Sequence, residues 1–159
     1  MAEFRIDRIR FNWKGSWVTG TAYRKDDVIS YGGKVFVNGT FDVLHLGHLK
    51  LLNYARSKAS MLVVAIDTDN RVKSKKGPSR PVNTYEDRKE FLLELGIVDH
   101  VVSFETDDDL RNAIKDYQPD LMIVGSDWRS GNVLGSEHAR KLEFYNRIEP
   151  YSTSRIVDR

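Results

Sequence analysis

From Lys34 onward, short β-branched runs alternate with longer amphipathic stretches, the pattern of a parallel sheet with crossover helices. Val35-Phe36-Val37 predicts the first strand. Gly47 to Lys58, with Leu49, Leu52 and Ala55 at helical spacing, predicts the first helix. Met61 to Ile66 is a continuous apolar run, as expected of a central strand covered on both faces. Thr84 to Leu95 reads as a helix, with Thr84 as N-cap, Glu86 and Asp87 in its first turn and Gly96 at its end. Val98 to Ser103 predicts a third strand. Thr106 and the acidic run Asp107 to Asp109 start another helix through Leu110, Ile114 and Tyr117, followed by Pro119. Leu121 to Val124 predicts the fourth strand. Ser136 to Leu142 and Ser152 to Val157 read as short helices around Glu143 to Tyr145. The basic stretch from Arg71 to Arg88 reads as a linker into the Thr84 helix.

Residues 1–33 break this rhythm. Phe11, Trp13, Trp17, Tyr23 and Tyr31 are spread among Gly15, Gly20, Gly32 and Gly33 with no helical period, which is β-hairpin composition. The division predicted is therefore an aromatic β-rich arm or incomplete module over 1–33 and one α/β domain over 34–159. With 159 residues there is no room for two large domains. The absence of cysteine removes disulfides, thiolate metal sites and cysteine nucleophiles, and suits a reducing compartment. No window approaches a membrane span and no apolar signal core follows the basic N-terminus, so a soluble, cytoplasmic protein is expected. Residues 1–34 hold seven basic and four acidic side chains against 18 and 19 in the remainder. A net charge of +2 is too balanced to point to nucleic acid or to a membrane surface.

The sharpest chemical signal is the run Asn38-Gly-Thr-Phe-Asp-Val-Leu-His-Leu-Gly-His48, a strand followed by a turn that enters a helix at Gly47-His48. The first turn of a helix presents unsatisfied N–H groups and the positive end of its dipole. Gly47 lets backbone approach an anion, and two imidazoles three positions apart can both donate to phosphate oxygens. A bare H-x-G-H would equally suit two helix-capping side chains or a surface metal clip. The full string G-T-F-D-x-x-H-x-G-H after a strand favours a phosphate.

These residues resemble the cytidylyltransferase-like nucleotidyltransferases, in particular glycerol-3-phosphate cytidylyltransferase and the adenylyltransferase domain of ADP-heptose synthesis, over about residues 34–157. The resemblance implies a Rossmann-like open, parallel, five-stranded sheet of the H-x-G-H type. It implies that His45 and His48 contact the nucleotide phosphates and stabilise the transition state, with Lys50 and Arg88 as further catalytic cations. Gly39, Thr40, Phe41, Asp42 and Gly47 match the nucleotide-binding loop. Lys73, Lys75 and Lys76 match linker lysines that hold triphosphate, though as a charge run they could simply be solvated; Arg80 in Gly77-x-Ser-Arg-Pro-Val-Asn is a further phosphate candidate.

Two later segments complete the resemblance. Gly125, Asp127 and Trp128 in Leu121-Met-Ile-Val-Gly-Ser-Asp-Trp128 match a segment at the base and acceptor pocket, with Ser126 replacing an acidic residue; read plainly, Asp127 caps a turn and Trp128 covers the core. Arg147-Ile-Glu-Pro-Tyr-Ser-Thr-Ser-Arg-Ile156 aligns with R-T-E-G-I-S-T-T, making Arg147, Ser152 and Thr153 nucleotide-binding residues. It departs at Ile148 and at Pro150, where proline removes an N–H. The expected reaction is transfer of a cytidylyl group from CTP to a polyol or sugar phosphate with release of pyrophosphate. The alternative is adenylyl transfer from ATP to a heptose 1-phosphate, which the Gly77 to Asn83 and Val133 to Ser136 segments favour. Mg²⁺ is expected on the nucleotide phosphates rather than in a protein-built metal site, and a homodimer is expected from the family.

The stretch W-x-x-x-T-A-Y-x-x-x-D-x-V-x-Y-G-G-K resembles part of the aromatic β modules of chitin-binding and phage virion proteins, but Lys34 onward is also needed as the first strand of the α/β sheet. A catalytically inactive module with a glycan- or virion-targeting arm is the rival from another class, and a purely structural arm that adds a strand at a sheet edge is a third reading. Asp107 to Asp109 read as dipole complements rather than metal ligands, and His100 and His138 as surface residues.

Overall fold

The computed structural model describes residues 7–13, 16–22, 33–146, 148 and 151–157, the first two segments by backbone alone and 154–155 without their side chains. The chain divides into two units, at residues 31 and 32. In the first, β1 (Asp7–Trp13) and β2 (Ser16–Ala22) pair antiparallel, from Asp7 opposite Ala22 to Trp13 opposite Ser16. That pairing agrees with the hairpin composition of the arm.

In the second unit β3 (Lys34–Gly39), β4 (Met61–Asp67), β5 (His100–Phe104), β6 (Leu121–Gly125) and β7 (Leu142–Tyr145) form one sheet in the order β5-β4-β3-β6-β7, with every neighbouring pair parallel. Lys34 and the residues after it are thus committed to the α/β sheet. Counted from its own first strand the order is 3-2-1-4-5, the doubly wound arrangement, and the direction of winding reverses at β3.

Alternation along the strands separates two apolar layers. Val35, Val37, Leu62, Val64, Ile66 and Ile123 pack with Leu52 and Ala55 of α1 (Leu46–Ser57) and Leu92 of α3 (Tyr85–Glu94). On the other face Phe36, Val63, Ala65, Met122 and Val124 pack with Leu110 and Ile114 of α4 (Asp107–Tyr117). The continuous apolar reading of residues 61–66 is explained by this double covering. The caps at Thr84 and Thr106 are both present: each side chain accepts from the N–H three residues on, and Asp109 completes a reciprocal capping box with Thr106.

Two expectations are corrected. Residues 69–76, read as part of a linker, form helix α2 (Asp69–Lys76). Thr68 caps it by accepting from the Arg71 N–H, Asp69 complements the positive end, and Lys73, Lys75 and Lys76 complement the negative end before Gly77, at φ 95°, terminates it. Val72 is its one buried residue, so the helix has almost no apolar stripe to read. The segment 136–142, expected to be helical, is a single 3₁₀ turn at Ser136–His138; Ala139 is already extended and Leu142 opens the fifth strand. Leu142 and Phe144 pack on the α4 face and Tyr145 on the opposite one, a period of two in only four residues. The terminal helix α5 is present, at Thr153–Val157. Among the described residues no helix is long and apolar enough to cross a membrane.

Candidate functional site

The turn between β3 and α1 is built around a ring ladder. Phe41 occupies the left-handed region at φ 49°, an uncommon conformation for a bulky residue, and this sends its side chain into the core at 3% exposure. A Cβ on Gly39 would lie 3.0 Å from the Phe41 ring, so the close approach requires glycine there. The Phe41 ring tilts against His48 at 5.0 Å between centroids, His48 stacks on His45 at 3.8 Å and 19°, and Tyr151 lies parallel to His45 at 6.3 Å. Gly47 is enclosed by the same ladder, since a Cβ would meet the His45 ring at 3.0 Å and the Tyr151 Cβ at 3.1 Å.

His45 is also the N-cap of α1: its Nδ1 accepts from the His48 N–H at 3.4 Å. Acceptance at Nδ1 places the proton of the neutral ring on Nε2, which leaves a donor at the far side of the imidazole. The first turn of α1 holds no acidic residue, whereas α2 has Asp69, α3 has Glu86 and Asp87, and α4 has three aspartates. The positive end of α1 is therefore not neutralised from within its own first turn. With two histidines beside it and Gly47 in that turn, it is suited to an anion.

Its place in the sheet adds to this. β3 and β6 pair through Val37 and Ile123, and two residues further along both strands come Gly39 and Gly125, at the carboxyl edge where the winding reverses. Open α/β sheets bind ligands in this crevice. From the β6 side Asp127 folds back against Gly125, where a Cβ would collide with its Oδ1, and Trp128 is 59% exposed rather than covering the core. Ser152 and Thr153 arrive from the C-terminal segment; the Thr153 hydroxyl donates to the Val43 carbonyl at 3.4 Å and so ties the start of α5 to the histidine loop. Arg147 lies outside the described residues.

The basic segment after β4 divides by residue type. Lys73, Lys75 and Lys76 are exposed, and the Lys76 ammonium donates to the Thr40 hydroxyl at 3.3 Å, bringing α2 to the loop. Thr40 in turn donates to Asp67 at 3.1 Å. Lys75 lies on the side of Asp107, and Lys50 is exposed on α1. The arginines go inward. Arg71 binds the Asp67 carboxylate at 2.9 Å, the Glu105 carbonyl and Asp107, joining the ends of β4 and β5 to α4.

Arg88, expected to hold triphosphate, is instead fully buried. It donates to the carbonyls of Asn83, Thr40 and Asp67 and pairs with Asp69 at 2.7 Å. Arg80 likewise turns from the phosphate position to Asp42, with Nε 2.8 Å and Nη2 2.7 Å from Oδ2. Asp42, expected among the nucleotide-binding groups, is 2% exposed and also accepts from the N–H groups of Val82 and Asn83, while the Asn83 side-chain amide donates back to the Asp42 carbonyl. Burial alone would raise the Asp42 pKa, but the Asn83 and Val82 N–H bonds and Arg80 together outweigh it and hold the carboxylate below its ordinary range. Asp42, Arg80 and Arg88 therefore support the loop from beneath. Sequence motifs marked these residues without revealing which way they face, because each partner lies 19 to 48 residues away except the Asn83 carbonyl.

Comparisons with known proteins identify the family and the fold. Residues 36–159 match the model of the cytidylyltransferase-like family. The chain is 42% identical over 124 residues to the bifunctional protein HldE of Helicobacter hepaticus, covering 78% of this chain and 26% of that protein, and 39% identical over 137 residues to HldE of Campylobacter concisus, covering 84% and 29%. It thus spans about a quarter of the length of these curated relatives. Among solved structures, a lipopolysaccharide core biosynthesis protein from Thermoplasma volcanium shares the fold at TM-score 0.60, with 22% identity and coverage of 74% of this chain and all of that one. Pantothenate synthetase from Thermus thermophilus does so at TM-score 0.57, with 14% identity and coverage of 81% and 63%. The chain belongs to the cytidylyltransferase-like family of nucleotidyltransferases.

Proposed function

We propose that the chain transfers a nucleotidyl group from a nucleoside triphosphate to a sugar phosphate, with ATP and a heptose 1-phosphate as the pair best supported. The observation that carries the reaction class is the stacked His45–His48 pair at an α1 start without a carboxylate, at the carboxyl edge of β3. The acceptor phosphate oxygen attacks the α-phosphorus, a new P–O bond forms, and the bond to the bridging oxygen of the β-phosphate breaks, releasing pyrophosphate. The charge that grows on the phosphates meets Nε2–H of His45, the His48 ring and the N–H groups of the first α1 turn. Catalysis of this kind rests on positioning and positive charge rather than on a covalent nucleophile. Lys76 reaches the same loop from α2, and Ser152, Thr153, Asp127 and Trp128 border the crevice.

Two carboxylates near the turn are already committed, Asp67 to Arg71 and Thr40, and Asp42 to Arg80 and two N–H groups. The divalent ion, Mg²⁺, is accordingly proposed to be held by the nucleotide's own phosphate oxygens, where it would screen their charge. The choice of ATP and heptose 1-phosphate over CTP and a polyol phosphate rests on relatives at 38 to 42% identity that share the name HldE, and on the Gly77 to Asn83 segment, whose Arg80, Val82 and Asn83 all engage Asp42. Acceptor-dependent pyrophosphate release, measured with ATP or CTP against heptose 1-phosphate or glycerol 3-phosphate, tests the reading. Release with ATP and heptose 1-phosphate, lost in His48→Ala, is the expected result. Release with CTP and glycerol 3-phosphate alone would reverse the substrate assignment, and no release together with no nucleotide binding by calorimetry would remove the reaction.

A further inference from the structure

At the opposite end of the sheet, a cleft of about 520 Å³ is lined by Lys34, Lys115, Gln118, Asp120, His138 and Arg140. Lys34 opens β3 and Gly39 closes it, so six residues of strand, roughly 20 Å, separate this cleft from the histidine loop. Three permanent cations face one carboxylate. That carboxylate is already occupied: Asp120 accepts from the Lys34 N–H at 2.9 Å and pairs with Arg140 at 3.3 Å. Among the described residues the ammoniums of Lys34 and Lys115 enter no ion pair, and His138 lies 3.7 Å from Glu137. Lys115, in the last turn of α4, complements that helix's negative end, but Lys34 and Arg140 come from a strand and a loop and are not explained that way.

We infer that this cleft binds an oligophosphate anion. Its volume is in the range of small-ligand sites, and its surplus of two positive charges attracts a compact polyanion such as a di- or triphosphate. No phenylalanine, tyrosine or tryptophan is among the lining residues, and the three cations direct recognition to the phosphates. Free pyrophosphate and the phosphate tail of a nucleotide share this chemistry.

Amide chemical shifts of the ¹⁵N-labelled full chain, followed while pyrophosphate or ATP is added, locate binding at the two ends of the sheet separately. The expected result is a saturable shift of the Lys34, Gln118, Asp120 and Arg140 amides. Lys115→Glu combined with Arg140→Gln should weaken that response about tenfold or more while the Gly47 and His48 amides respond as before. A response to both ligands would assign the nucleotide tail as a source, and a response to pyrophosphate alone the free anion. Shifts confined to the histidine loop, shifts reproduced by chloride at equal ionic strength, or shifts retained in the double variant would each overturn the inference. If the double variant loses its dispersed spectrum, Lys115→Gln alone is titrated against the same criterion.

Discussion

The histidine loop and the basic segment that follows β4 are both rich in side chains that suit phosphate, yet they are built in opposite ways. In the loop, the candidate chemistry lies at the surface of a helix start and its ring contacts are mostly local: Gly39, Phe41, Gly47 and the two histidines position one another within ten residues, while Arg80 and Arg88 hold the loop from beneath. In the basic segment, cationic residues of similar appearance separate by shape. The lysines stay in solvent on α2, and the arginines go inward to carbonyls and carboxylates, most of them far along the chain. A guanidinium has five donors in a planar fork and can satisfy several buried acceptors at once, which an ammonium on a flexible stem does less well. The lesson is that positive charge around the proposed phosphate site divides into exposed groups able to meet a ligand and buried groups that hold the frame.

The strongest way to break this comparison is at Arg88. Replacing it with Met would leave the carbonyls of Thr40 and Asp67 and the partly exposed carboxylate of Asp69 without their donor, and each buried acceptor left unsatisfied costs about 1–3 kcal/mol. Urea unfolding should show that loss, with Arg88→Lys rescuing little of it. Full stability of Arg88→Met with a large rise in nucleotide KM would return Arg88 to the phosphate site.

Next in size is His48. His48→Ala removes one donor to the developing charge and should lower kcat about 10²- to 10³-fold. Because His48 is half-buried in the ring ladder, thermal unfolding must be measured alongside; a kcat loss with an unchanged KM and a cooperative transition is the expected combination. An equal loss in His48→Ala and in a variant confined to the core would mean that the ring only packs.

Asp42→Asn sharpens the same division through pH. The substitution keeps the shape but removes the charge facing Arg80, at a cost of about 2 kcal/mol at neutral pH. The folded pKa of Asp42 lies below its ordinary value of 3.8, so its contribution is complete above that value and is lost as pH falls through the lowered folded one. The stability gap between the native chain and Asp42→Asn should therefore be constant near neutrality and shrink below about pH 4. Unfolding midpoints that stay equally separated down to about pH 3 would contradict the assignment.

What could be read along the chain follows the same line between local and distant. The strands of 35–37, 61–66 and 121–124, the caps at Thr84 and Thr106 and the histidine motif are each marked by residues close together in sequence, and all are where the pattern puts them. Helix α2 escaped because Thr68 and Asp69 signal its start but only Val72 marks a buried face. Strand β7 escaped because four residues show a period of two only once β6 is beside them. The inward course of Arg80 and Arg88 depends on Asp42, Thr40 and Asp67, contacts that exist only after β3 and β4 have paired. Resemblance to a family marked these positions, and the course of their side chains is set by those contacts.

The smallest predicted effect isolates the groups that face the ligand. Lys73→Ala, Lys75→Ala and Lys76→Ala are exposed changes at the surface of α2, and each should alter stability by no more than about 0.5 kcal/mol. Only Lys76 is seen to reach the loop, by its contact with Thr40, so only Lys76→Ala should raise the nucleotide KM severalfold while leaving kcat nearly unchanged, the signature of binding that is uniform between ground and transition state. Lys75, which lies toward Asp107, should be silent in both parameters. Were all three lysines to raise KM alike, α2 would act as a diffuse field of charge rather than through one directed side chain. A salt titration of KM then separates the two cases, because a diffuse field is screened within a Debye length of about 10 Å at 0.1 M salt and a direct ammonium–phosphate contact much less so.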